Sequence, residues 1–331
     1  MSTANRIDVH QHLLPDVYVA ALEAHGFDVP GWSPDWPLPR WSPEGALAMM
    51  DEQEIATGVL SLSTPGVHFG TADFGKHTEA RALAARVNEA HADLVRDRPD
   101  RFGMFAAVPL PDVDGALLTI AHAFDDLGAD GVVLLANAHG VYLGDPALDP
   151  VMEELDRRRA VMFIHPGQLA AKPATGVHPA YADFLLDTTR AAISLVLNKV
   201  PRRYPYLKMI LSHAGGFVPY AAHRIANLTG ANPLAPTGST QEEVLEDLAG
   251  FYFDTALSAS PTSLPSLTAF AKPGHILFGS DWPYATTSGV AYFTQNLDHD
   301  AGLDADQHEA VNRLNALQLM PRLNKAADHG Q

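Results

Sequence analysis

The sequence predicts a single-domain (β/α)8 barrel spanning residues 1–331, and three observations support this fold class. Eight short apolar runs alternate with longer segments whose apolar residues recur at helical spacing. Strands alternating with helices form βαβ units, and eight parallel strands can close into a barrel. Chemistry-bearing residues follow four widely separated runs, and in a closed ring all strand ends face one centre. The alternative is an open doubly wound sheet, but no Gly-x-Gly-x-x-Gly motif follows the first run.

The elements alternate along the whole chain. The predicted strands are 7–9, 58–62, 104–108, 131–135, 161–164, 209–211, 251–253 and 276–278. Apolar periodicity predicts helices over 77–98, 113–127, 150–159, 180–200 and 241–248. A final amphipathic helix over 304–325 is expected to cover the outside of the barrel.

One segment breaks this alternation, at residues 26–43. It contains five prolines and three of the four tryptophans, and this proline content rules out a regular helix or a central strand. We expect a long loop after the first strand. It is either a substrate-facing lid whose rings stack on a planar ligand or a small hydrophobic plug on the barrel.

Composition excludes several classes of function. The net charge of -17 comes from 39 acidic and 22 basic residues without a basic block, so we predict no nucleic-acid partner. Without cysteine, disulfides and thiolate chemistry are excluded, and a metal must be bound by imidazole and carboxylate. No apolar stretch approaches the roughly 20 residues of a membrane span, and no signal peptide is evident. We therefore expect a cytoplasmic protein without a membrane partner.

A metal site is predicted at the barrel mouth. His10 and His12, two residues apart on a strand, point the same way, while His165 and Asp281 end other strands. The four residues can supply three nitrogen ligands and one oxygen ligand and leave a position for water or substrate.

His213 also follows a strand, before the small residues Ala214, Gly215 and Gly216 that let a ligand approach the backbone. It can ligate a second metal, act as an acid or base, or hydrogen-bond a metal-bound group. One metal is the simpler proposal, and it leaves His213 as a proton-transfer residue. The alternative is that His213 is a buried, hydrogen-bonded histidine without a role in the reaction.

The sequence also offers candidates for substrate contacts. Tryptophans near the mouth can stack on a planar ligand, arginines can pair with a carboxylate, and a histidine after the second strand can line the pocket. For the arginines, ordinary surface salt bridges are the alternative. These predicted contacts are Trp32, Trp36, Arg40, His68, Arg224 and Trp282.

Four ordered motifs carry a family resemblance. They are Asp-Val-His-Gln-His at 8–12, Ile-His-Pro at 164–166, Ser-His-Ala-Gly-Gly at 212–216 and Gly-Ser-Asp-Trp-Pro at 279–283. Together they resemble the amidohydrolase superfamily in its aminocarboxymuconate-semialdehyde decarboxylase branch. The segments 63–67 and 108–112 look most like relatives of 6-methylsalicylate decarboxylase, and 315–323 resembles the closing helix of the branch. The likeness covers nearly the whole chain.

The resemblance implies a (β/α)8 barrel with one divalent metal, usually zinc and in some members manganese. By motif position, His10, His12, His165 and Asp281 would be the ligands and His213 the catalytic histidine. Members decarboxylate aromatic or muconate-type acids, although some hydrolyse lactones or hydrate double bonds. A homodimer and a small carboxylic acid as substrate are also implied.

Three functions follow as hypotheses. In a metal-dependent decarboxylase, protonation of the carbon beside the carboxylate, by Asp281 or by water that His213 orients, lets carbon dioxide leave. No organic cofactor is needed, because the conjugation of the substrate accommodates the charge. In the alternative, a lactone or ester hydrolase, the same metal activates water. A non-catalytic metal-binding scaffold is the third hypothesis.

Overall fold

The structure is a computed structural model that describes residues 5–26, 38–69, 77–169, 174–231, 238–300 and 302–324. Eight strands are hydrogen-bonded in parallel in the order in which they occur along the chain. They are β1 (Arg6–His12), β2 (Ile55–Ser61), β3 (Phe102–Ala107), β4 (Gly131–Leu135), β5 (Val161–His165), β6 (Lys208–Leu211), β7 (Tyr252–Asp254) and β8 (Ile276–Leu277). All eight strands predicted from the apolar runs are therefore present.

Helices connect successive strands in the described residues. They are Asp16–Ala24, Pro43–Glu52, His77–Asp97, Val113–Asp125, Asp149–Arg157, Asp183–Leu197, Val200–Arg203, Val218–Ala231, Gln241–Ala249, Ser263–Phe270 and Thr287–Asp298. None of these described helices combines the length and the apolar composition that a bilayer span requires. The helix Pro43–Glu52 begins within the segment expected to be a loop, because proline is well suited to the first turn and Ser42 caps it.

The barrel closes where the first strand meets the last strand and the residues that follow it. Val9 N donates to Phe278 O at 3.1 Å, Asp281 N to His10 O at 2.7 Å and His12 N to Trp282 O at 2.7 Å. This closure confirms the predicted (β/α)8 barrel and excludes the open sheet. It also places the strand ends that carry histidines and Asp281 around one mouth.

Alternation along β5 shows how the strands divide the core. Met162 and Ile164 belong to the apolar cluster that includes residues of the surrounding helices, such as Leu195. Phe163 and His165 lie on the opposite face, because side chains two residues apart share one face of a strand. The ring of Phe163 lies 4.8 Å from that of His10, centroid to centroid. Phe163 is therefore an apolar floor beneath the histidines.

The C-terminal helical region differs from a single continuous helix over 304–325. It comprises Ala305–Glu309, a π-helical turn over Ala310–Leu314 and Asn315–Leu319. Val311 O accepts a hydrogen bond from Phe278 N at 3.0 Å, and the Asn315 amide donates to Ile276 O at 2.8 Å. This region therefore packs against β8, and its irregular turn directs a helix carbonyl to the strand.

Candidate metal centre

Four buried side chains meet at the mouth of the barrel: His10 and His12 of β1, His165 at the end of β5, and Asp281 after β8. Their potential ligand atoms all lie within 4.8 Å of one another. Asp281 Oδ1 lies 3.2 Å from His10 Nε2 and 3.0 Å from His12 Nε2, and the two Nε2 atoms are 3.1 Å apart. The cluster is the one predicted from the strand ends, and it could hold a metal ion.

Hydrogen bonds at the opposite ring nitrogens orient these histidines. His12 Nδ1 donates to Ser61 O at 3.2 Å and His165 Nδ1 donates to Pro166 O at 2.9 Å. His10 Nδ1 donates a hydrogen bond to Asp254 Oδ2 at 2.8 Å. Because each Nδ1 carries a proton, the Nε2 atoms are left as ligands, which is the usual arrangement around protein-bound metals. The donor set and its orientation therefore fit a divalent cation.

The carboxylates beside His10 favour a positive charge within the cluster. Burial opposes a charge on His10, but the carboxylates of Asp254 and Asp281 outweigh it and raise the pKa of His10 to about 10. Burial lowers the pKa of His12 and holds the pKa of His165 well below its usual range. Among the three histidines, His10 alone therefore carries a second proton, on Nε2, at neutral pH. A cation that binds at Nε2 must displace that proton.

Asp281 is ionised in this setting. Burial alone would raise its pKa, yet the charge and hydrogen bond of His10, with the adjacent imidazoles of His12 and His213, hold the pKa of Asp281 well below its usual range. Its backbone φ is 60°, in the left-handed region that few non-glycine residues adopt. Such backbone geometry clusters at functional sites, where the surrounding structure enforces it.

His213 lies beside the cluster on a tight turn after β6. Its Nε2 atom is 3.4 Å from Asp281 Oδ2, and its backbone N donates to Asp254 Oδ1 at 2.9 Å. His213 and Ala214 both have positive φ, and the turn continues through Gly216, where a Cβ would lie 2.2 Å from Leu185 O. The turn thus requires glycine at 216 and brings the His213 imidazole to the carboxylate of Asp281.

Two further carboxylates, not singled out by the sequence analysis, organise the centre. Asp254, the last residue of β7, contacts both His10 and His213. Asp8 accepts from Ser280 Oγ at 2.5 Å and from the backbone N atoms of Ser280 and His10, each at 3.0 Å. Burial raises the pKa of Asp8 to about 6, and these hydrogen bonds oppose that shift. The available signal was an acidic residue within or at the end of an apolar strand.

A cavity of about 630 Å³ lies above the ends of β2 to β5, and the described residues that line it include none of the four ligand candidates. Leu62 lines it directly after Ser61, and Gln168 lines it three residues after His165. The volume is in the usual range for small-molecule sites. Its walls are mainly aliphatic, and His68 and His139 contribute imidazoles.

The other predicted substrate contacts are distributed differently. Trp282 is 8% exposed, and its indole packs beside Gly45 of the helix Pro43–Glu52. Arg40 and Arg224 are exposed, and neither lines the cavity. Trp32 and Trp36 lie outside the described residues. Tyr284, which was not predicted, places its ring 5.2 Å from that of His12, centroid to centroid.

Comparison with known proteins agrees with this geometry. The model of the amidohydrolase family matches residues 7–322. The chain belongs to the amidohydrolase family. A 6-methylsalicylic acid decarboxylase of Aspergillus aculeatus is 38% identical over 335 residues, covering 98% of each chain. This similarity confirms the predicted branch of the family.

Solved structures extend the comparison. A crystal structure described as amidohydrolase II has a TM-score of 0.85 and 33% identity, covering 96% of this chain and 99% of the other. A dihydroxybenzoic acid decarboxylase from Polaromonas sp. JS666, solved with bound manganese, has a TM-score of 0.79 at 22% identity, covering 99% of both chains. The latter likeness supports the fold of this amidohydrolase family member.

We expect Asp254→Asn to weaken metal binding by about 10- to 100-fold, because the amide cannot hold His10 as a carboxylate does. Titration of the metal-depleted variant with zinc or manganese, followed by calorimetry, measures this loss. Asp97→Asn, at an exposed position in the described structure, is the matched control. Unchanged affinity in Asp254→Asn would show that the contact with His10 does not support the centre.

Proposed function

We propose that this protein is a metal-dependent decarboxylase of an aromatic, hydroxybenzoate-type carboxylic acid. The observation that carries the proposal is a buried set of three imidazoles and one carboxylate, with His213 against that carboxylate. Similarity over 98% of both chains to a 6-methylsalicylic acid decarboxylase supports the reaction class. The similarity gives the alternative of a lactone or ester hydrolase no comparable support.

His10, His12, His165 and Asp281 would hold one divalent cation, zinc or manganese, since imidazole and carboxylate accept both. When bound, the cation supplies Lewis-acid stabilisation of the negative charge on substrate oxygens. No organic cofactor is required, because the aromatic ring itself accepts the electron pair released from the broken bond.

The residues of the chain manage the proton of the reaction. Decarboxylation breaks the bond between the ring carbon and the carboxylate, returns its electron pair to the ring and places a proton on that carbon. The His213 and Asp281 pair, with Nε2 and Oδ2 3.4 Å apart, is where we assign that proton before transfer. Asp254 fixes the position of His213 by accepting a hydrogen bond from the His213 backbone N atom. Burial of all three residues limits the access of water.

The substrate would extend from the centre into the cavity above the ends of β2 to β5, where His68 is a wall residue. Aliphatic walls suit an aryl ring and its alkyl substituent. Contacts from Trp32, Trp36, Trp282, Arg40 and Arg224 stay predictions, as do a homodimer and a cytoplasmic location.

Incubation of the metal-loaded protein with salicylates, including 6-methylsalicylate, and separately with aryl lactones tests this proposal. We expect carbon dioxide and the decarboxylated phenol in equal amounts from a salicylate, and no opening of the lactones. Chelation of the metal should stop the release. Acid release from lactones without carbon dioxide from any salicylate would overturn the decarboxylase proposal in favour of the hydrolase.

A further inference from the structure

Three histidines form a hydrogen-bonded chain at the wall of the cavity. His68 Nδ1 lies 2.9 Å from His139 Nε2, and His68 Nε2 lies 3.2 Å from His77 Nδ1. His68 is 5% exposed, whereas His139, at one end of this row of hydrogen-bonded histidines, is exposed. Both residues line the cavity. These histidines are separate from the four metal-ligand candidates, and the mechanism above assigns no step to them.

His139 lies at the tip of a hairpin, in the left-handed region of backbone conformation. It forms, with Gly140, the two-residue tip of a hairpin between Asn137–Ala138 and Val141–Tyr142. Their φ angles are 53° and 88°, and a tip with two positive φ angles favours Asn-Gly. Histidine is among the non-glycine residues that adopt positive φ most often, so the turn accommodates His139.

The base of this hairpin is firmly anchored, which fixes the position of its tip. Buried Asp187 accepts from Tyr142 OH at 2.7 Å, from Gly167 N at 2.8 Å and from the Asn137 amide at 2.9 Å. Asn137 Oδ1 in turn accepts from Gly140 N at 2.9 Å. The amide of Asn137 is thus engaged in structure, although the residue lines the cavity.

The protonation of the hydrogen-bonded histidines favours an uncharged hydroxyl ligand. Burial, together with the neighbouring imidazoles, lowers the pKa of His68, and burial lowers the pKa of His139, so both are neutral at neutral pH. A neutral imidazole has one donor and one acceptor nitrogen. The hydrogen bond between His68 and His139 can form in either direction, depending on the tautomers. The other ring nitrogen of His139 can therefore either donate or accept a hydrogen bond. A hydroxyl group can match both states.

We propose that His139, oriented by its hydrogen bond with His68, forms a subsite for a second ring hydroxyl of the substrate, remote from the carboxylate that meets the metal centre. This inference rests on the proposed function and narrows the substrate class to hydroxybenzoates with an additional hydroxyl on the part of the ring inside the cavity. His68 and His77 are positioning residues, because the two ring nitrogens of His68 contact His139 and His77.

Binding of ligands without a carboxylate tests the subsite independently of turnover. Calorimetry on the metal-loaded protein would compare phenol with 1,3- and 1,4-benzenediol. We expect at least one diol to bind about tenfold more tightly than phenol, which corresponds to one additional hydrogen bond. His68→Ala and His139→Asn should each reduce this ratio to about one.

Controls separate the imidazole from the turn. Asparagine suits positive φ, so His139→Asn should retain or raise the thermal midpoint while it loses the preference for diols. His299→Asn, an exposed histidine outside the cavity, should retain that preference. Equal binding of phenol and both diols by the unmodified protein, or full preference in His139→Asn, would overturn the subsite. Histidine-dependent diol binding without decarboxylation would uphold the subsite and refute only the proposed reaction.

Discussion

We expect Asp281→Asn to lower decarboxylation by about 10⁴-fold and to reduce the metal content of the purified protein. The effect is large because one side chain has two roles in the proposed mechanism: it would contribute the anionic ligand beside the three imidazoles, and it would exchange the reaction proton with His213. An amide supplies neither the negative charge nor a carboxylate oxygen that can accept a proton. Asparagine tolerates the left-handed backbone at this position, so the barrel should still fold.

Elemental analysis of the variant and its rate of carbon dioxide release, measured on the same preparation, test both parts of this prediction. Asp306→Asn, at an exposed aspartate of the helix Ala305–Glu309, should match the unmodified protein in both measurements. Full activity in Asp281→Asn would refute the assignment of Asp281.

The second large effect is expected for His213→Asn, which should lower kcat by about 10²- to 10⁴-fold with nearly unchanged metal content. His213 lies against Asp281 but is not among the four residues whose ligand atoms converge. Removal of the imidazole therefore interrupts proton transfer while the metal ligands stay in place. Asparagine again suits the positive φ at this position.

Steady-state rates across a range of pH, together with elemental analysis, distinguish the roles of His213. His223→Asn is a matched control, since His223 is an exposed histidine of the helix Val218–Ala231. Loss of the metal from His213→Asn would indicate that His213 is a ligand and not a proton-transfer residue.

The sequence was sufficient to predict the centre because the barrel topology is regular. His10, His165 and Asp281 are far apart along the chain, but each lies near the end of a strand or follows one, and the ends of parallel strands meet at one mouth. The same topology explains why His213 could be placed beside them. Strand ends, more than loops, could therefore be located from the sequence.

Features created by contacts between loops could not be predicted in the same way. His68 was predicted to line the pocket, but its pairing with His139 across 71 positions depends on a hairpin tip that the sequence does not mark. Asp254 ends a strand of only three residues, and its contacts with His10 and His213 arise from neighbouring strands. The π-helical turn near Val311 likewise reflects a hydrogen bond to a distant strand.

The closure between β1 and the segment after β8 has a consequence for biosynthesis. His12 and Asp281 are 269 positions apart, and the backbone bonds that seal the barrel lie beside them. During translation, His10 and His12 are synthesised early, whereas Asp281 is added only after most of the polypeptide has been made. A nascent chain consequently has no complete site, and a cation that needs all four candidate ligands could be bound only after translation has passed the last strand.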